Sequence, residues 1–394
     1  MMRVGFAFLG CGVLTACSSA IRPLTLPNGS SGALETIQPA AAYKSIFSFG
    51  GSSGAVPYAG LVAEKGTLYG TTSTGGTGAG VVFKITPAGV ENVLYTFTGG
   101  KDGSSPTAPL IFVNGVLYGT TSVGGPANCG SVFRVTLSGA EKTLHDFKNN
   151  ADGCLPAAPL LDVKGTLYGT TRDGGKQSGV GVGTVFKITT SGSEKVLYAF
   201  KGSRYHDAGS PQSGLTDVEG VLYGATNGGG PKQDGTIYRI TLSGSEKVLH
   251  VFNGGDGNSP LDKLCLVNGI LYGTTSIGGA KNLGTVFSVS KTGSLKVLHS
   301  FRGPDGATPP LGGLVEFEGA LYGVTSFGGA KNAGTIFKIT LAGKETVLYS
   351  FGTSGSGFDG ANPSGTLTYL GGRFFGTTAG GGSNGKGTVY SIRP

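Results

Sequence analysis

The segment Leu68-Tyr69-Gly70-Thr71-Thr72 returns six more times with small changes along the 394-residue chain, and this repetition constrains the fold more than any other feature. Its aromatic residue falls at Tyr69, Tyr118, Tyr168, Tyr223, Tyr272, Tyr322 and Phe375. The intervals between these positions are 49, 50, 55, 49, 50 and 53 residues. A period this regular is the signature of a repeat architecture in which each copy forms one small structural unit. Seven copies therefore predict a ring or a stack of seven units.

Each repeat is predicted to hold four short antiparallel strands, and the second repeat shows the pattern. Residues 106–113 and 116–122 are two apolar runs separated by Asn114-Gly115, the strongest short signal of a type I′ hairpin turn. A third strand at 131–136 follows a glycine-rich loop, and a fourth at 142–147 follows a Ser-Gly turn. The repeat therefore reads as a four-stranded meander.

Several strands carry apolar side chains on both faces, as in Val185-Phe186-Lys187-Ile188. A sheet covered on both sides gives this pattern, and propeller blades are covered by their neighbours. A β-helix would need a much shorter repeat. The chain begins with a lone fourth-type strand at 43–49 and ends with a third-type strand at 387–392. We therefore predict an all-β, seven-bladed β-propeller with four antiparallel strands per blade, whose last blade is closed by the N-terminal strand, three strands plus one.

The N-terminal region is predicted to be a lipoprotein signal. Arg3 precedes an apolar stretch at 4–13, and Leu14-Thr15-Ala16-Cys17 resembles a bacterial lipobox. The stretch is too short for a permanent membrane span. We expect cleavage before Cys17 and lipidation at Cys17, with Ser18 fitting the outer-membrane sorting pattern. The alternative is a buried apolar strand with an incidental cysteine.

Three segments follow from these patterns. Residues 1–17 are predicted to be the signal peptide and lipobox, and residues 18–42, rich in Ser, Pro, Gly and Ala, a flexible tether. Residues 43–394 are predicted to be one propeller domain. The folded part would then be anchored to a membrane through the N-terminal lipid.

The whole repeat resembles a known family. An aromatic strand ending in Phe, an Asp-Gly-x-x-Pro turn, the Leu-Tyr-Gly-Thr-Thr strand, a Gly-Gly loop and a Gly-Thr-Val-Phe-Lys-Ile strand are similar to the GloVer (Gloeo/Verruco-type) tandem repeat. This repeat occurs in bacterial surface proteins with varied anchors. The resemblance implies a β-propeller and an exported, anchored protein, and it carries no established biochemical activity to any position.

The recurring acidic turns are predicted to be structural. Asp-Gly-x-x-Pro occurs at Asp102, Asp152, Asp256, Asp305 and Asp359. In such a turn Asp accepts backbone N–H bonds two residues on, Gly takes a positive φ, and Pro starts the next strand. A ring of calcium sites would need more oxygen ligands than these segments supply. We expect no metal and no cofactor.

Two long insertions break the repeat, at 172–183 and 201–207, and both connections should lie on one rim. They supply the candidate binding residues Arg172, Asp173, Lys176, Arg204, Tyr205, His206 and Asp207. Together these would form a cationic, aromatic pocket for a carboxylate, sulfate or phosphate. The alternative is a surface-loop insertion without function.

The remaining cysteines and histidines are predicted to be structural. Cys129 and Cys154 should meet on this same rim, and export would permit a disulfide between them. Cys265 lies in a first strand as an apolar thiol. The histidines occupy a slot that other repeats fill with Tyr, which indicates packing rather than catalysis; they are His145, His250 and His299.

Two functional classes remain open. The net charge of +8 is spread over the repeats, so no nucleic-acid partner is expected. The favoured class is a monomeric, non-catalytic binding or display module at the outer membrane or cell surface, with an anionic glycan or a protein as partner. The alternative is an exported polysaccharide hydrolase or lyase on the elaborated rim. Glu is scarce in the rim loops, which argues against a paired-carboxylate glycosidase, and no catalytic residue is assigned.

Overall fold

The computed structural model describes residues 43–148, 150–175, 181–202, 207–354 and 359–394. These ranges are all-β, and seven of their sheets have four antiparallel strands each. The signal peptide with Cys17 and the tether at 18–42 lie outside them, so those predictions stay predictions. None of the described ranges contains a helix long and apolar enough to cross a membrane.

The strands follow the repeat, and each blade is formed by strands that are consecutive in the chain. Blade 1 consists of β2 (Val62–Glu64), β3 (Thr67–Thr72), β4 (Val81–Ile85) and β5 (Glu91–Thr96). Blade 2 consists of β6 (Ile111–Val113), β7 (Val116–Thr121), β8 (Ser131–Thr136) and β9 (Glu141–Asp146). Blade 3 consists of β10 (Leu161–Val163), β11 (Thr166–Thr171), β12 (Thr184–Thr189) and β13 (Glu194–Ala199).

Blades 4 to 6 continue the series, and blade 4 carries an extra two-stranded ribbon formed by β14 (Ala208–Gly209) and β17 (Gly228–Gly229). Blade 4 consists of β15 (Thr216–Val218), β16 (Val221–Thr226), β18 (Thr236–Thr241) and β19 (Glu246–Val251). Blade 5 consists of β20 (Cys265–Val267), β21 (Ile270–Thr275), β22 (Thr285–Val289) and β23 (Leu295–Ser300). Blade 6 consists of β24 (Val315–Phe317), β25 (Ala320–Thr325), β26 (Thr335–Thr340) and β27 (Glu345–Ser350).

Blade 7 joins the two ends of the chain, as predicted. It consists of β28 (Ala361–Leu370), β29 (Arg373–Gly380), β30 (Thr388–Ile392) and β1 (Tyr43–Ser48). Tyr43 pairs with Ile392 and Ser48 with Thr388, so the N-terminal strand is the outermost strand of the last blade. The first strands of neighbouring blades, such as β2 beside β6 and β28, lie next to one another and surround the axis. The structure is thus a seven-bladed β-propeller closed by three strands plus one.

The second repeat shows where the sequence pattern succeeds and where it fails. Asn114 and Gly115 have φ of 49° and 86°, as a type I′ turn requires. The first strand, however, is only Ile111–Val113, although 106–113 was predicted. Pro106 and Pro109 have no N–H group for a strand ladder, so residues 106–110 run along the inner wall without pairing.

A backbone hydrogen bond ties each blade to the one before it. The donor is the residue ahead of the proline that precedes each first strand, and we call this residue the clip residue. Ser105 N donates to Ala79 O of the preceding glycine loop at 2.9 Å, and Ser122 N donates to Ser105 O at 3.0 Å. All clip residues have φ between 53° and 58°, a region that costs a non-glycine residue energy; they are Val56, Ser105, Leu155, Ser210, Ser259, Thr308 and Asn362.

A second contact between blades needs glycine. In blades 1 to 6, the turn between the third and fourth strands lies on the fourth strand of the preceding blade. At Gly139, with φ of 93°, an added Cβ would come within 2.5 Å of Leu94 O. Equivalent close approaches to a carbonyl oxygen occur at Gly89, Gly192, Gly244, Gly293 and Gly343. Only glycine permits this approach.

The hydrophobic core is divided among the gaps between blades. In the gap between blades 1 and 2, Phe97 packs edge-to-face on Phe133 with ring centroids 5.0 Å apart, and both are fully buried. Tyr69 and Leu110 belong to the same cluster. Each sheet is therefore apolar on both faces because each face contacts a neighbouring blade, as the strand pattern indicated.

One boundary is also covalently linked. Cys129, in the glycine loop of blade 2, forms a disulfide with Cys154, in the turn that leads to blade 3, with Cα atoms 4.6 Å apart. The clip residue Leu155 donates to Cys129 O at 2.9 Å directly beside it. The bond therefore reinforces the clip between blades 2 and 3. Cys265 is a free, half-buried thiol in β20, and burial raises its pKa.

Replacing Gly139 by Ala should destabilise the propeller much more than replacing Gly115 by Ala. Both glycines have a positive φ, so each substitution should cost about 1 kcal/mol of backbone strain. Only Gly139 faces another blade, and its clash should add ~2 kcal/mol. Urea unfolding followed by circular dichroism measures both variants. Equal midpoints would contradict the glycine contact.

Opening the disulfide should lower the free energy of unfolding by about 3 kcal/mol, because it closes a 25-residue loop. We expect the Cys129→Ala/Cys154→Ala double variant and the reduced wild type to melt at the same lowered temperature in calorimetry. Cys265→Ala is the control and should change the melting temperature much less. An unchanged melting temperature in the double variant would count against the bond.

Candidate functional site

The glycine loops and the acidic turns share one rim, as predicted. Antiparallel bridges join the two connections of a blade, for example Ser104 to Val123 and Cys154 to Asp173. At the inner end of this rim, the residues that follow each clip and its proline surround the entrance to the axial channel. They differ in every blade: Tyr58, Thr107, Ala157, Gln212, Leu261, Pro310 and Ser364. The entrance is where the sevenfold pattern breaks.

A cavity of about 520 Å³ opens at this entrance, between blades 5, 6, 7 and 1. We call it the mouth pocket. Its apolar side chains are Val56, Tyr58, Leu261, Pro310, Leu311 and Phe327. Tyr58 and Phe327 are 46% and 45% exposed, which is high for aromatic side chains. Hydroxyl and amide groups of Ser326, Asn362 and Ser364 complete the lining.

Blade 6 shapes the pocket through one extra residue. Between the proline and the following leucine, the other blades have three residues, whereas blade 6 has Pro310, Leu311, Gly312 and Gly313. The additional residue brings both Pro310 and Leu311 to the channel entrance. Phe327 extends the same wall from the glycine loop of blade 6, at the position that holds Ile277 in blade 5.

Asp262 anchors this irregular segment. Its side chain is buried, and Oδ1 accepts a hydrogen bond from Gly312 N at 2.9 Å while Oδ2 accepts one from the Thr274 hydroxyl. Burial raises the pKa of Asp262 to about 7, although these hydrogen bonds oppose the shift. The carboxyl group therefore joins blade 5 to the inserted segment of blade 6.

Lys263 lies below the mouth pocket, inside the channel. It lines a second cavity of about 20 Å³ together with Thr107 and Gln212, and Leu261 and Leu311 line both cavities. Burial lowers the pKa of the Lys263 ammonium group. The equivalent positions of the other blades are uncharged: Gly60, Pro109, Pro159, Gly214, Gly313 and Thr366.

The predicted cationic pocket is described only in part. Arg172 forms an ion pair with the adjacent Asp173 at 3.0 Å. Asp207 is buried and accepts hydrogen bonds at 2.8 Å from Tyr198 Oη, Lys201 N and Ala208 N. The other four predicted residues lie outside the described ranges, so the pocket stays a prediction; they are Lys176, Arg204, Tyr205 and His206.

The described parts of the two insertions do meet. Val182 of the first and Gly202 of the second line a cavity of about 180 Å³ with Lys201 and Ser210. This places both insertions on one rim, as expected. The cavity is about a third of the mouth pocket in volume and lies away from the axis, beside the ribbon of β14 and β17.

The acidic turns are structural, but their hydrogen bonds run in the opposite direction from the expected one. Asp102 accepts bonds from Thr98 N at 2.7 Å and from Tyr95 Oη at 2.9 Å, both upstream. The carboxylate points back because the aromatic side chain of the fourth strand reaches into the turn. Burial and hydrogen bonding act in opposite senses on the Asp102 pKa, and the net effect lowers it.

The histidines occupy the tyrosine slot, as predicted. His250 Nε2 lies 3.0 Å from Asp256 Oδ2, and its ring packs edge-to-face on Phe252 with centroids 5.0 Å apart. The packing of the ring was expected from the sequence, whereas the hydrogen bond to Asp256 was not. His and Tyr are interchangeable here because either can hydrogen-bond to the turn carboxylate.

In the described residues, His299, Asp305 and Glu345 bring donor atoms within 4.8 Å of one another, a spacing that a metal ion could bridge. The corresponding residues of another boundary are Tyr198, Asp207 and Glu246. A tyrosine at the histidine position favours a contact between blades over a metal site. Burial first, and then the nearby Asp, raises the pKa of Glu246 and of Glu345 to about 7.

These two glutamates should make the propeller less stable as the pH rises. Their pKa of about 7 exceeds the ordinary value of 4.5, so the folded state retains protons that the unfolded state has lost. Their stabilising contribution is complete below 4.5 and is lost as the pH passes 7.

The test compares urea midpoints at pH 5 and pH 8. The urea midpoint of the Glu246→Gln/Glu345→Gln variant should fall less between pH 5 and pH 8 than that of the wild type. The exposed Glu318→Gln is the control and should fall as the wild type does. An equal fall of the urea midpoint in all three proteins would contradict the raised pKa of Glu246 and Glu345.

The mouth pocket is absent from the sequence prediction. The predicted site consists of charged and cysteine-bearing departures from the repeat, whereas the mouth pocket is formed by uncharged departures. The signal was present in the alignment of the repeats, as the variable residue after each proline and the extra residue of blade 6. The missed residues are Tyr58, Leu261, Lys263, Leu311 and Phe327.

Comparison with known proteins agrees with the fold. A sequence model of the Gloeobacter/Verrucomicrobia repeat matches residues 25–230 and 177–390. No curated protein matches the chain.

Solved structures share the architecture at low identity. A proposed 6-phosphogluconolactonase from Bacteroides fragilis NCTC 9343 has a TM-score of 0.51 at 18% identity, covering 81% of this chain and 87% of that one. Another from Bacteroides uniformis ATCC 8492 has a TM-score of 0.50 at 13% identity, covering 80% and 88%. Puromycin hydrolase has a TM-score of 0.50 at 13% identity, covering 83% of this chain and 50% of that one. These likenesses concern the fold alone.

Proposed function

The chain belongs to the Gloeobacter/Verrucomicrobia repeat family, and on that premise we propose an exported, lipid-anchored β-propeller that binds an apolar small molecule in its mouth pocket without catalysis. The observation that carries the binding site is the break in sevenfold symmetry at the channel entrance. Four blade segments that could have been alike instead contribute different apolar side chains to one cavity.

The size and chemistry of the pocket support a small ligand. Its volume of about 520 Å³ falls within the range of ~300–1,000 Å³ typical of small-molecule sites. Tyr58 and Phe327 leave nearly half of their surface in water, which a ligand would cover at a gain in free energy. The side-chain carbonyl of Asn362, whose amide nitrogen donates to Ser326 O at 3.0 Å, could accept a hydrogen bond from the ligand and orient it.

The alternative of a polysaccharide hydrolase finds less support. Such an enzyme needs free acidic groups facing a substrate cleft. Of the two predicted acidic residues of this rim, Asp173 pairs with Arg172, and Asp207 is buried and accepts hydrogen bonds from Tyr198 and Lys201. The lining of the mouth pocket contains no acidic or basic side chain among the described residues.

The position of the first strand is compatible with anchoring. Tyr43 begins the outermost strand of blade 7, where its ring stacks on Tyr349 with centroids 3.9 Å apart. The mouth pocket lies at the inner end of the blades. Tyr43 therefore lies at the outer edge of the ring, away from the mouth pocket.

Anchoring itself is testable through Cys17. In a bacterial host, the wild-type chain should incorporate labelled palmitate and partition with the outer membrane. Cys17→Ser should remove the label and leave the protein in the soluble fraction. Palmitate label that persists in Cys17→Ser, or its absence from the wild type, would refute the lipid anchor and leave the proposed ligand binding intact.

Ligand binding is testable with the neutral fluorescent probe N-phenyl-1-naphthylamine. The wild type should bind it saturably, and Phe327→Ser should weaken binding at least about tenfold, because the lost aromatic contact is worth more than ~1.4 kcal/mol. Ile277→Ser is the matched control, since Ile277 holds the same position in blade 5 and does not line the pocket. Unsaturable binding, or equal loss in both variants, would overturn the proposed site.

A further inference from the structure

We propose that Lys263 is the anion-binding floor of the mouth pocket, so that its ligand is an apolar molecule carrying a carboxylate. This inference rests on the proposed function and specifies its ligand class. It depends on the walls that the two cavities share, on the unneutralised charge of Lys263, and on the volume available around it.

The two cavities share part of their walls. Leu261 and Leu311 line both the mouth pocket and the small cavity that Lys263 lines. A ligand that contacts these two leucines from above therefore lies next to the lysine. Among the described residues that line either cavity, Lys263 is the one with a formal charge.

The charge of Lys263 has no counterion in the described part of the protein. None of the ion pairs there includes it. Its neighbour Asp262 uses its two oxygens on Gly312 and Thr274. A half-buried ammonium group without a partner loses part of its hydration, and an anion that enters the channel would offset this cost.

The lysine is not required by the repeat. Six other blades place Gly, Pro or Thr at this position, and the ring closes at every one of them. An unpaired, half-buried charge that packing does not demand is a reason to expect a functional role.

The volume restricts the anion. The lower cavity, about 20 Å³, accommodates one group of the size of a water molecule. A carboxylate oxygen fits there, while the ring or chain of the ligand stays in the larger pocket above. The Gln212 amide lines the same cavity and could donate to the carboxylate, whereas the Thr107 hydroxyl is hydrogen-bonded to Ser122 Oγ at 2.6 Å.

Isothermal titration calorimetry with naphthalene-2-carboxylate and naphthalene-2-carboxamide tests the proposal, because the two compounds share one apolar body and differ in charge. The full-length protein should bind the carboxylate at least about tenfold more tightly, a typical gain for a charge-assisted contact. Lys263→Met should remove this preference and leave carboxamide binding within about twofold.

The control is Lys291→Met, which removes an exposed lysine from a turn on the opposite rim and should keep the preference. Thermal melting separates a binding role from a structural one: Lys263→Met should melt at or above the wild-type temperature, since an unpaired, half-buried charge is lost. A lower melting temperature together with unchanged ligand preference would overturn the inference.

The outcomes distinguish the two proposals. If neither compound binds the wild type, the mouth pocket is not the site and the proposed function fails with the inference. If both compounds bind with equal affinity, the proposed function stands and the role of Lys263 is refuted.

Discussion

The ring depends on the hydrogen bond that each clip residue donates to the preceding blade. It recurs at all seven boundaries, and at the closing boundary Val56 N donates to Lys386 O at 2.9 Å. Because the following proline cannot donate, the clip residue must make this bond, and it does so at a positive φ that side chains disfavour. The free energy gained from a buried hydrogen bond and from well-packed blades offsets that conformational cost. The hydrogen bond thereby fixes the angle between neighbouring blades.

The clip also explains why the channel entrance is free to vary. It uses backbone atoms, so side chains as different as Val56, Leu155 and Asn362 serve equally. The residue after the proline carries no part of the bond and faces the axis. A backbone constraint shared by every blade therefore coexists with an entrance lined by unrelated side chains. Residues at such positions can change without disturbing the fold, and this is where a binding site can form on a symmetric scaffold.

Much of the fold could be predicted from the sequence because its determinants are local. The Asn114-Gly115 turn, the strand alternation and the repeat period each act within a few residues, and together they lead to seven closed blades. The clip conformation could not be predicted, because a residue before proline normally avoids helical angles. The mouth pocket could not be predicted either, since Tyr58 and Leu311 are far apart in the chain and become neighbours only when the ring closes.

The departures of blades 5 and 6 from the repeat are structurally linked. At three other boundaries, a threonine hydroxyl of one blade donates to a carbonyl of the next, as Thr377 does to Ala59 O at 3.0 Å. The extra residue of blade 6 disturbs this pairing, because the Gly312 carbonyl accepts from Thr366 instead. The Asp262 carboxyl then replaces the missing acceptor for Thr274. The next residue, Lys263, lines the channel as Pro109, Pro159 and Gly214 do at the equivalent positions of blades 2 to 4. The added residue of blade 6 is thus bonded directly to the buried carboxyl group of blade 5, and the channel lysine and the apolar wall of the mouth pocket lie on either side of this contact.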